Sequence, residues 1–182
     1  MCMKIELLDN EIYKGKKLLF QYRTAYFYDI EVKENEYGFN FSLVKKPYNK
    51  IMEKQFEDTL ISEWLENPKL FGAIQKGNVI GYLELSHEQW NNRMRISNIL
   101  VEESHRGQGI GKALMEKAYL TAVQEKARML ILETQSCNFN AISFYRSCGF
   151  SIIGFDLFAY SNQDVDKKEF RIEMAKQINF AK

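Results

Sequence analysis

Three glycines at alternate positions are the residues of this sequence whose type and spacing best suit a chemical role. They lie in the run Arg106-Gly107-Gln108-Gly109-Ile110-Gly111. The apolar run 96–101 before them predicts a buried strand. After them, apolar residues recur every four positions, as on a helix face that packs against a sheet: Ile110, Leu114, Ala118 and Ala122. Glycine has no Cβ, and the first amides of a helix have no internal partner, so such a turn can bind a phosphate or diphosphate.

Two common phosphate-binding patterns do not fit this spacing. The Walker pattern places Lys and then Ser or Thr after its last glycine, whereas Gly111 is followed by Lys112-Ala113. The Rossmann fingerprint has two residues between its second and third glycines, and here a single residue separates them. A tight strand-to-helix turn without any ligand is the structural alternative that the glycines alone leave open.

A second run of interest follows another predicted strand, residues 129–134. It reads Asn138-Phe139-Asn140-Ala141-Ile142-Ser143-Phe144-Tyr145-Arg146-Ser147-Cys148-Gly149-Phe150. Asn138 or Asn140 can cap a short helix, and Gly149 suits the left-handed residue that ends one. The sequence therefore predicts a helix over residues 139–147.

The two runs together resemble the two signatures of the GNAT acetyltransferase superfamily. The first signature is Arg or Gln, two residues, Gly, one residue, and Gly or Ala; the second is Asn-x-x-Ala followed by Phe-Tyr and Gly-Phe. The resemblance covers roughly residues 70–160. It implies one GNAT domain over residues 1–182, with a cofactor-binding core at about 94–150, and acetyl-CoA as cosubstrate. The implied fold class is α/β (α+β), with a mixed, mostly antiparallel sheet and a central splayed parallel strand pair flanked by helices.

The resemblance also implies site residues. The backbone of Leu100 and Val101 would pair with the pantetheine arm as an added strand does. Asn138 and Ala141 of the second signature are also implied to bind the cofactor, and Tyr145 resembles the general acid for the leaving thiolate. The residues around the diphosphate would be Arg106, Gly107, Gln108, Gly109, Ile110, Gly111 and Lys112. The structural alternatives are solvated surface charges at Arg106 and Lys112, and a packed ring at Tyr145.

A narrower resemblance is to the streptothricin acetyltransferases. It is carried by Leu132-Glu133-Thr134-Gln135, Phe144-Tyr145, Cys148-Gly149-Phe150, Gln89-Trp90-Asn91-Asn92-Arg93, and Pro47-Tyr48 with Lys50. The match is not exact, because Ser97-Asn98 replaces an acidic pair and Lys45-Lys46 replaces an acidic residue of that group. Both departures remove negative charge that could meet a cationic substrate.

Acetyl transfer to an amine requires a neutral nitrogen. An alkyl amine with a pKa near 10.4 is neutral in only about one molecule in 2,500 at pH 7, a cost of roughly 4.6 kcal/mol. Glu84 and Glu133 are the candidate bases, each with the alternative of an ordinary strand glutamate, and deprotonation through water is equally open. Trp90, Tyr48 and the run 26–28 could line an acceptor pocket or pack in the core.

Composition limits the classes of partner. The length of 182 residues and a hydrophobic content of 46% suit one domain. With 25 Lys and Arg against 24 Asp and Glu, the net charge of +1 predicts no nucleic-acid partner. No apolar run approaches the ~20 residues of a membrane helix, and the first residues lack a signal-peptide core. We therefore expect no membrane partner and a cytoplasmic location.

The cysteines and histidines give no metal-ligand pattern. Cys2, Cys137 and Cys148 are expected to be reduced thiols, and no metal is expected. Cys137 adjoins the cofactor asparagine, but no base neighbours it, and the GNAT reaction usually proceeds without an acyl-enzyme.

The leading hypothesis is therefore an acetyl-CoA-dependent N-acetyltransferase in which a primary amine of a small molecule attacks directly in a ternary complex. A streptothricin-like antibiotic is a candidate acceptor, which would make antibiotic resistance the role. The alternatives are a protein or peptide N-acetyltransferase and a non-catalytic acyl-CoA-binding module. Because dimers are common in this superfamily, a homodimer is also open.

The remaining elements are predicted from periodicity. Between Tyr48 and Glu66, the spacing of Ile51, Phe56, Leu60 and Trp64 predicts a helix that ends before Pro68. A hairpin turn is predicted at Lys76-Gly77-Asn78, and the alternation over 171–174 predicts an exposed edge strand. A helix is predicted over 110–126, and strands over 3–8, 18–34, 36–44, 70–75, 79–85, 94–102, near 150–160 and over 168–175.

Overall fold

The computed structural model describes residues 3–179 of the chain. The strands are β1 (Lys4–Leu7), β2 (Lys17–Asn35), β3 (Gly38–Thr59), β4 (Lys69–Gln75), β5 (Asn78–Glu88), β6 (Arg93–Val101), β7 (Met129–Gln135), β8 (Ser151–Asp156) and β9 (Arg171–Gln177). The α-helices are α1 (Asn10–Tyr13), α2 (Ile110–Gln124), α3 (Phe139–Ser147) and α4 (Asp164–Lys167), and a 3₁₀ helix spans Glu103–His105.

The chain divides into two compact units. Of the described residues, the first unit contains 3–20, 56–132 and 175–179. The second unit contains 21–55 and 133–174. The glycine run therefore belongs to the first unit, and α3 belongs to the second.

The sheet of the first unit has the strand order β1-β4-β5-β6-β7. Its neighbours are antiparallel except β6 and β7, which are parallel. The predicted β4–β5 hairpin is confirmed. Lys76 (φ 51°) and Gly77 (φ 82°) both adopt left-handed backbone conformations, the type of turn that matches the twist of a two-residue hairpin.

Helix α2 packs against this sheet through the apolar stripe predicted from the sequence. Ile110, Leu114, Ala118 and Ala122 are all buried. Gly81 of β5 permits the close approach, because a Cβ there would lie 3.0 Å from the carbonyl oxygen of Leu100 and 3.4 Å from Leu114 Cδ1. Burial of each large aliphatic side chain contributes about 1.5–3 kcal/mol, so this packing holds the helix against the sheet.

The helix predicted between Tyr48 and Glu66 is wrong, because β3 continues to Thr59 and pairs with β2. Three of the four residues that suggested a helical face are exposed: Ile51, Phe56 and Trp64. Cross-strand contacts stabilise the ribbon instead. In the first unit the rings of Phe20 and Phe56 stack with centroids 4.9 Å apart, and in the second unit the carboxylate of Glu53 accepts from the guanidinium of Arg23. These non-local pairs decide the conformation.

In the second unit the strand order is β7-β9-β8. The prediction of an exposed edge strand over 171–174 is therefore wrong, since β9 lies between two strands and buries Ile172 and Met174 completely. Arg171 and Glu173, the charged residues that suggested exposure, are only half-buried and form an ion pair with each other. Alternation alone cannot distinguish an exposed polar face from one covered by ion pairs.

Candidate active site

The glycine turn has the geometry of an open helix N-terminus. Gly109 is the N-cap of α2 with φ +83°, and no side chain caps the helix. The first backbone hydrogen bond of the helix runs from Ala113 N–H to Gly109 O at 3.1 Å, so the amides of residues 110–112 precede it. Gly107 is also left-handed, with φ +76°.

The turn has room for a ligand at its glycines. A Cβ on Gly107 or Gly109 would meet no atom within 4 Å. The first turn of α2 contains no acidic residue, so nothing there opposes an anion. Arg106 Nε donates to Val101 O at 3.1 Å, which links the turn to the end of β6, and Gln108 Nε2 donates to Ser104 O at 3.3 Å.

The strand before the glycine turn, β6, pairs with a strand on each side in the first unit. Residues 93–95 of β6 pair in parallel with residues 129–131 of β7. On the other side, Leu100 pairs with Tyr82 and Val101 with Gly81 of β5. The β5–β6 register shifts at Ser97, which has no counterpart in β5. Such a bulge bends a strand and redirects its end.

In the second unit, Asn138 is the residue that caps α3. Its Oδ1 accepts from Ala141 N–H at 3.2 Å. Asn140, the other candidate cap, donates from Nδ2 to Arg23 O at 2.9 Å. Gly149 follows the helix with φ +89°, as the sequence predicts. The cap orients the start of α3, with Asn138 and Ala141 in its first turn.

Tyr145 lies in the last turn of the same helix. Its ring contacts Phe144 and Phe150, with centroid distances of 5.6 Å and 6.3 Å. Burial, with a smaller effect of Cys148, raises the pKa of Tyr145 to about 12. The phenol therefore carries its proton throughout the neutral range, which is the protonation state that a proton donor needs.

The two candidate bases have different surroundings. Glu84 is completely buried in β5; its Oε1 accepts from Ile61 N–H at 2.6 Å and its Oε2 from Asn98 Nδ2 at 2.9 Å. Burial raises the pKa of Glu84. Ile61 is left-handed, with φ +59°, so the carboxylate supports a strained turn.

Glu133 of β7, in the second unit, has a side chain that is 39% exposed. Its Oε2 lies 3.5 Å from Arg171 Nη1, and the same guanidinium contacts Asp156 at 3.2 Å. This carboxylate is therefore both charge-paired and in contact with solvent. It lies in a different unit from Glu84 and the glycine turn.

Cys137 has the environment of a structural thiol. It is completely buried, and its Sγ lies 3.2 Å from the hydroxyl of Tyr22. Burial raises the pKa of the Cys137 thiol, which disfavours the thiolate that a nucleophile needs. Tyr22 donates to Gln135 Oε1 at 2.7 Å. Sequence reasoning missed this half-buried tyrosine, and one tyrosine among ten gives no signal for it.

The aromatic residues considered for an acceptor pocket lie in different surroundings. Trp90 is 80% exposed. Phe27 is buried against Tyr48, with centroids 4.6 Å apart. Tyr26 and Tyr28 both contact the ring of Phe139, a residue that the sequence analysis did not single out. Tyr26 and Tyr28 are two positions apart, so both side chains lie on the same side of a strand. This spacing is the signal that could have grouped them.

Two features are absent from residues 3–179, the part of the chain that the structure describes. No group of three or more His, Cys, Asp or Glu side chains in this part of the chain is arranged to hold a metal ion. None of its helices combines the length and apolar character needed to cross a membrane. Cys2 lies outside the described residues.

Comparison with known proteins identifies the family. Residues 21–150 match the model of the acetyltransferase (GNAT) family. The chain is 30% identical over 160 residues to a streptothricin acetyltransferase of Streptomyces lavendulae, covering 84% of this chain and 82% of the relative. A streptothricin acetyltransferase of Escherichia coli is 35% identical over 98 residues, which cover 54% of this chain and 56% of that protein.

Solved structures agree in fold. The crystal structure of nourseothricin acetyltransferase superimposes with a TM-score of 0.75 at 24% identity, covering 98% of this chain and 100% of that one. A Bacillus anthracis protein described as a streptothricin acetyltransferase, solved in complex with acetyl coenzyme A, gives 0.73 at 22% identity, covering 98% and 99%. The chain belongs to the GNAT family, and the mixed α/β fold predicted for it is confirmed. It is an acetyltransferase related to the streptothricin acetyltransferases.

Proposed function

We propose that this enzyme transfers the acetyl group of acetyl-CoA to a primary amine of a small molecule, with a streptothricin-type antibiotic as the first acceptor to test. The observation that carries the proposal is the uncapped N-terminus of α2 at Gly109. The 30% identity with the Streptomyces lavendulae enzyme over most of both chains supports the choice of acceptor.

The glycine turn is proposed to bind the diphosphate of the cosubstrate. The backbone amides of residues 107–112 act as donors, and the dipole of α2 adds partial positive charge. Arg106 and Lys112 add full positive charges beside them. The backbone of Leu100 and Val101 at the end of β6 is proposed to pair with the pantetheine amides. Asn138 and Ala141 are proposed to bind the pantetheine arm as well.

The chemical step is proposed to be direct attack of the amine nitrogen on the thioester carbonyl carbon. The C–N bond forms, the C–S bond breaks, and Tyr145 donates its proton to the leaving sulfur. The proton that the attacking nitrogen loses passes through water to the Tyr145 phenolate and restores the phenol. Its raised pKa keeps that proton available at neutral pH. An amide of β6 is proposed to polarise the carbonyl, which is an oxyanion-type contribution.

Of the two candidate carboxylates, we assign deprotonation of the acceptor ammonium to Glu133 through water. Its side chain is 39% exposed, so water can reach it. Both oxygens of Glu84 already accept hydrogen bonds inside the first unit. We therefore assign Glu84 to the support of the turn at Ile61 rather than to proton transfer.

The proposal is tested by steady-state release of CoA thiol with three acceptors: streptothricin, a simple primary alkylamine and a peptide with a free N-terminus. Turnover of the small amines supports the proposal. Turnover of the peptide alone would instead identify a protein N-acetyltransferase, and tight CoA binding without transfer would identify a binding module. Glu133→Gln should lower kcat at pH 7, and the deficit should shrink as the pH approaches the pKa of the acceptor.

A further inference from the structure

An ammonium group of the chain itself lies against two aromatic rings of the second unit. Lys45 Nζ is 3.9 Å from the ring centroid of Tyr26 and 4.2 Å from that of Phe139. The two centroids are 5.4 Å apart and the ring planes are tilted by 53°. A cation in contact with two π faces is the arrangement by which proteins recognise organic ammonium ions.

Backbone hydrogen bonds hold the two segments that carry these rings, and neither bond involves Lys45. Tyr28 N–H donates to Ser136 O at 2.9 Å, which joins β2 to the segment before α3. Phe139 N–H donates to Cys137 O at 2.9 Å. The ring of Tyr28 also contacts Phe139, with centroids 5.9 Å apart. The rings should therefore stay in place when the ammonium leaves.

The contact of Lys45 with the rings is weak enough to be exchanged. Lys45 is exposed, and Tyr26 is 38% exposed. A cation–π contact at an exposed site changes an equilibrium constant by about two- to fivefold. Another ammonium ion of comparable size can therefore compete with Lys45 for the same rings.

The carboxylate of Asp29, on the same strand as Tyr26, does not offer an alternative site for a cation. Asp29 already accepts from Lys46 Nζ at 3.0 Å and from Lys168 Nζ at 3.1 Å. A further positive group approaching this part of the second unit would meet a neutralised carboxylate. The π faces of Tyr26 and Phe139 remain as the attractive surface.

We propose that Tyr26 and Phe139 form a subsite for a second ammonium group of the acceptor, and that Lys45 occupies this subsite until the acceptor displaces it. The inference rests on the proposed function. The reacting amine must lose its proton, whereas an ammonium on the rings keeps its own. The subsite thus selects acceptors with at least two amino groups, and Lys45 limits their affinity.

The kinetic test compares Lys45→Ala with a matched control, Lys117→Ala. Lys117 Nζ lies 4.7 Å from the ring centroid of Phe71 in the first unit, so its loss also removes one charge and one cation–π contact. With lysine amide as a diamine acceptor, Lys45→Ala should lower KM about two- to fivefold at unchanged kcat. KM for a simple monoamine should not change, and Lys117→Ala should alter neither. Equal effects of the two variants, or no effect of Lys45→Ala, would overturn the proposal.

Adding Tyr26→Leu separates recognition by the ring from simple removal of charge. In the Lys45→Ala background, Tyr26→Leu should raise KM for the diamine again by a similar factor. An unchanged KM would mean that only charge repulsion had been relieved, and the subsite would be refuted.

A titration with tetramethylammonium, followed by NMR of the Tyr26 and Phe139 rings, does not depend on turnover. Tighter binding to Lys45→Ala than to the wild type is expected, and equal binding contradicts the subsite. If no amine is acetylated at all, the proposed function fails and the acceptor subsite fails with it. The titration then shows separately whether the rings of Tyr26 and Phe139 bind an ammonium ion in competition with Lys45.

Discussion

Replacement of Gly109 by alanine separates the ligand-binding role of the glycine turn from its role in folding. Gly109 has φ +83°, and an added Cβ would meet no atom within 4 Å. The folding cost therefore comes from the left-handed backbone alone and should be about 1–2 kcal/mol. Gly77 in the β4–β5 turn has φ +82° and the same open surroundings, so Gly77→Ala should carry a similar folding cost.

The two variants should differ in their affinity for CoA. On Gly109 the new methyl group would enter the space in which the diphosphate approaches the amides of α2. Loss of one hydrogen bond to a charged group costs about 1.5–3 kcal/mol, which corresponds to a Kd about ten- to a hundredfold higher. Gly77 lies in a turn that has no proposed contact with the cosubstrate, so Gly77→Ala should bind CoA with the Kd of the wild type.

The assay is isothermal titration calorimetry with CoA, combined with urea unfolding of all three proteins. We expect similar losses of unfolding free energy in both variants and weaker CoA binding in Gly109→Ala alone. If both variants bind CoA as the wild type does, or if both lose affinity equally, the diphosphate does not lie on the glycine turn.

Three further predictions follow from individual side chains. Tyr145→Phe should lower kcat by about 10²- to 10⁴-fold with little change in the Kd of CoA, because it removes only the proposed proton donor; unchanged turnover from pH 6 to 9 would reject that role. Burial raises the pKa of Glu84 above 4.5. In urea unfolding, the wild type should therefore lose stability relative to Glu84→Gln as the pH rises above that value. A difference in unfolding free energy that stays constant with pH would refute the shift. Burial alone would raise the pKa of Asp29, but the hydrogen bonds from Lys46 and Lys168 outweigh it and hold the pKa below 3.8. The wild type should therefore be more stable than Asp29→Asn in urea unfolding, with the full difference above pH 5 and none once the pH has fallen through the lowered pKa. A stability difference that grows on acidification would contradict the direction of this shift.

The parts of the fold that sequence predicted well are those with local signals. Helix α3 has the predicted bounds, because Asn138 caps its start and Gly149 follows its end. The β4–β5 hairpin was likewise set by a Lys-Gly turn. In each case residues close in sequence determine the backbone, so propensity and capping are sufficient.

The parts that sequence missed depend on distant partners. Residues 48–59 belong to β3 because they pair with β2, and no residue inside that segment indicates its partner. For the same reason the family signatures indicated Tyr145, Asn138 and the glycine turn, but they did not indicate that Phe139 shares an ammonium ion with Tyr26. A cluster of side chains from separate elements can be predicted only when the pairing register of the strands is known.

The central claim, that backbone amides at the start of α2 bind the diphosphate of the cosubstrate, is tested most directly by comparing two ligands of the wild-type protein. CoA and its fragment pantetheine share the thiol arm, and CoA adds the diphosphate together with 3′-phosphoadenosine, so the Gly109→Ala variant is needed to assign the difference to the diphosphate. Calorimetry should show that CoA binds at least tenfold more tightly than pantetheine, and that this advantage is largely lost in Gly109→Ala. Equal affinity for CoA and pantetheine in the wild type would contradict the claim.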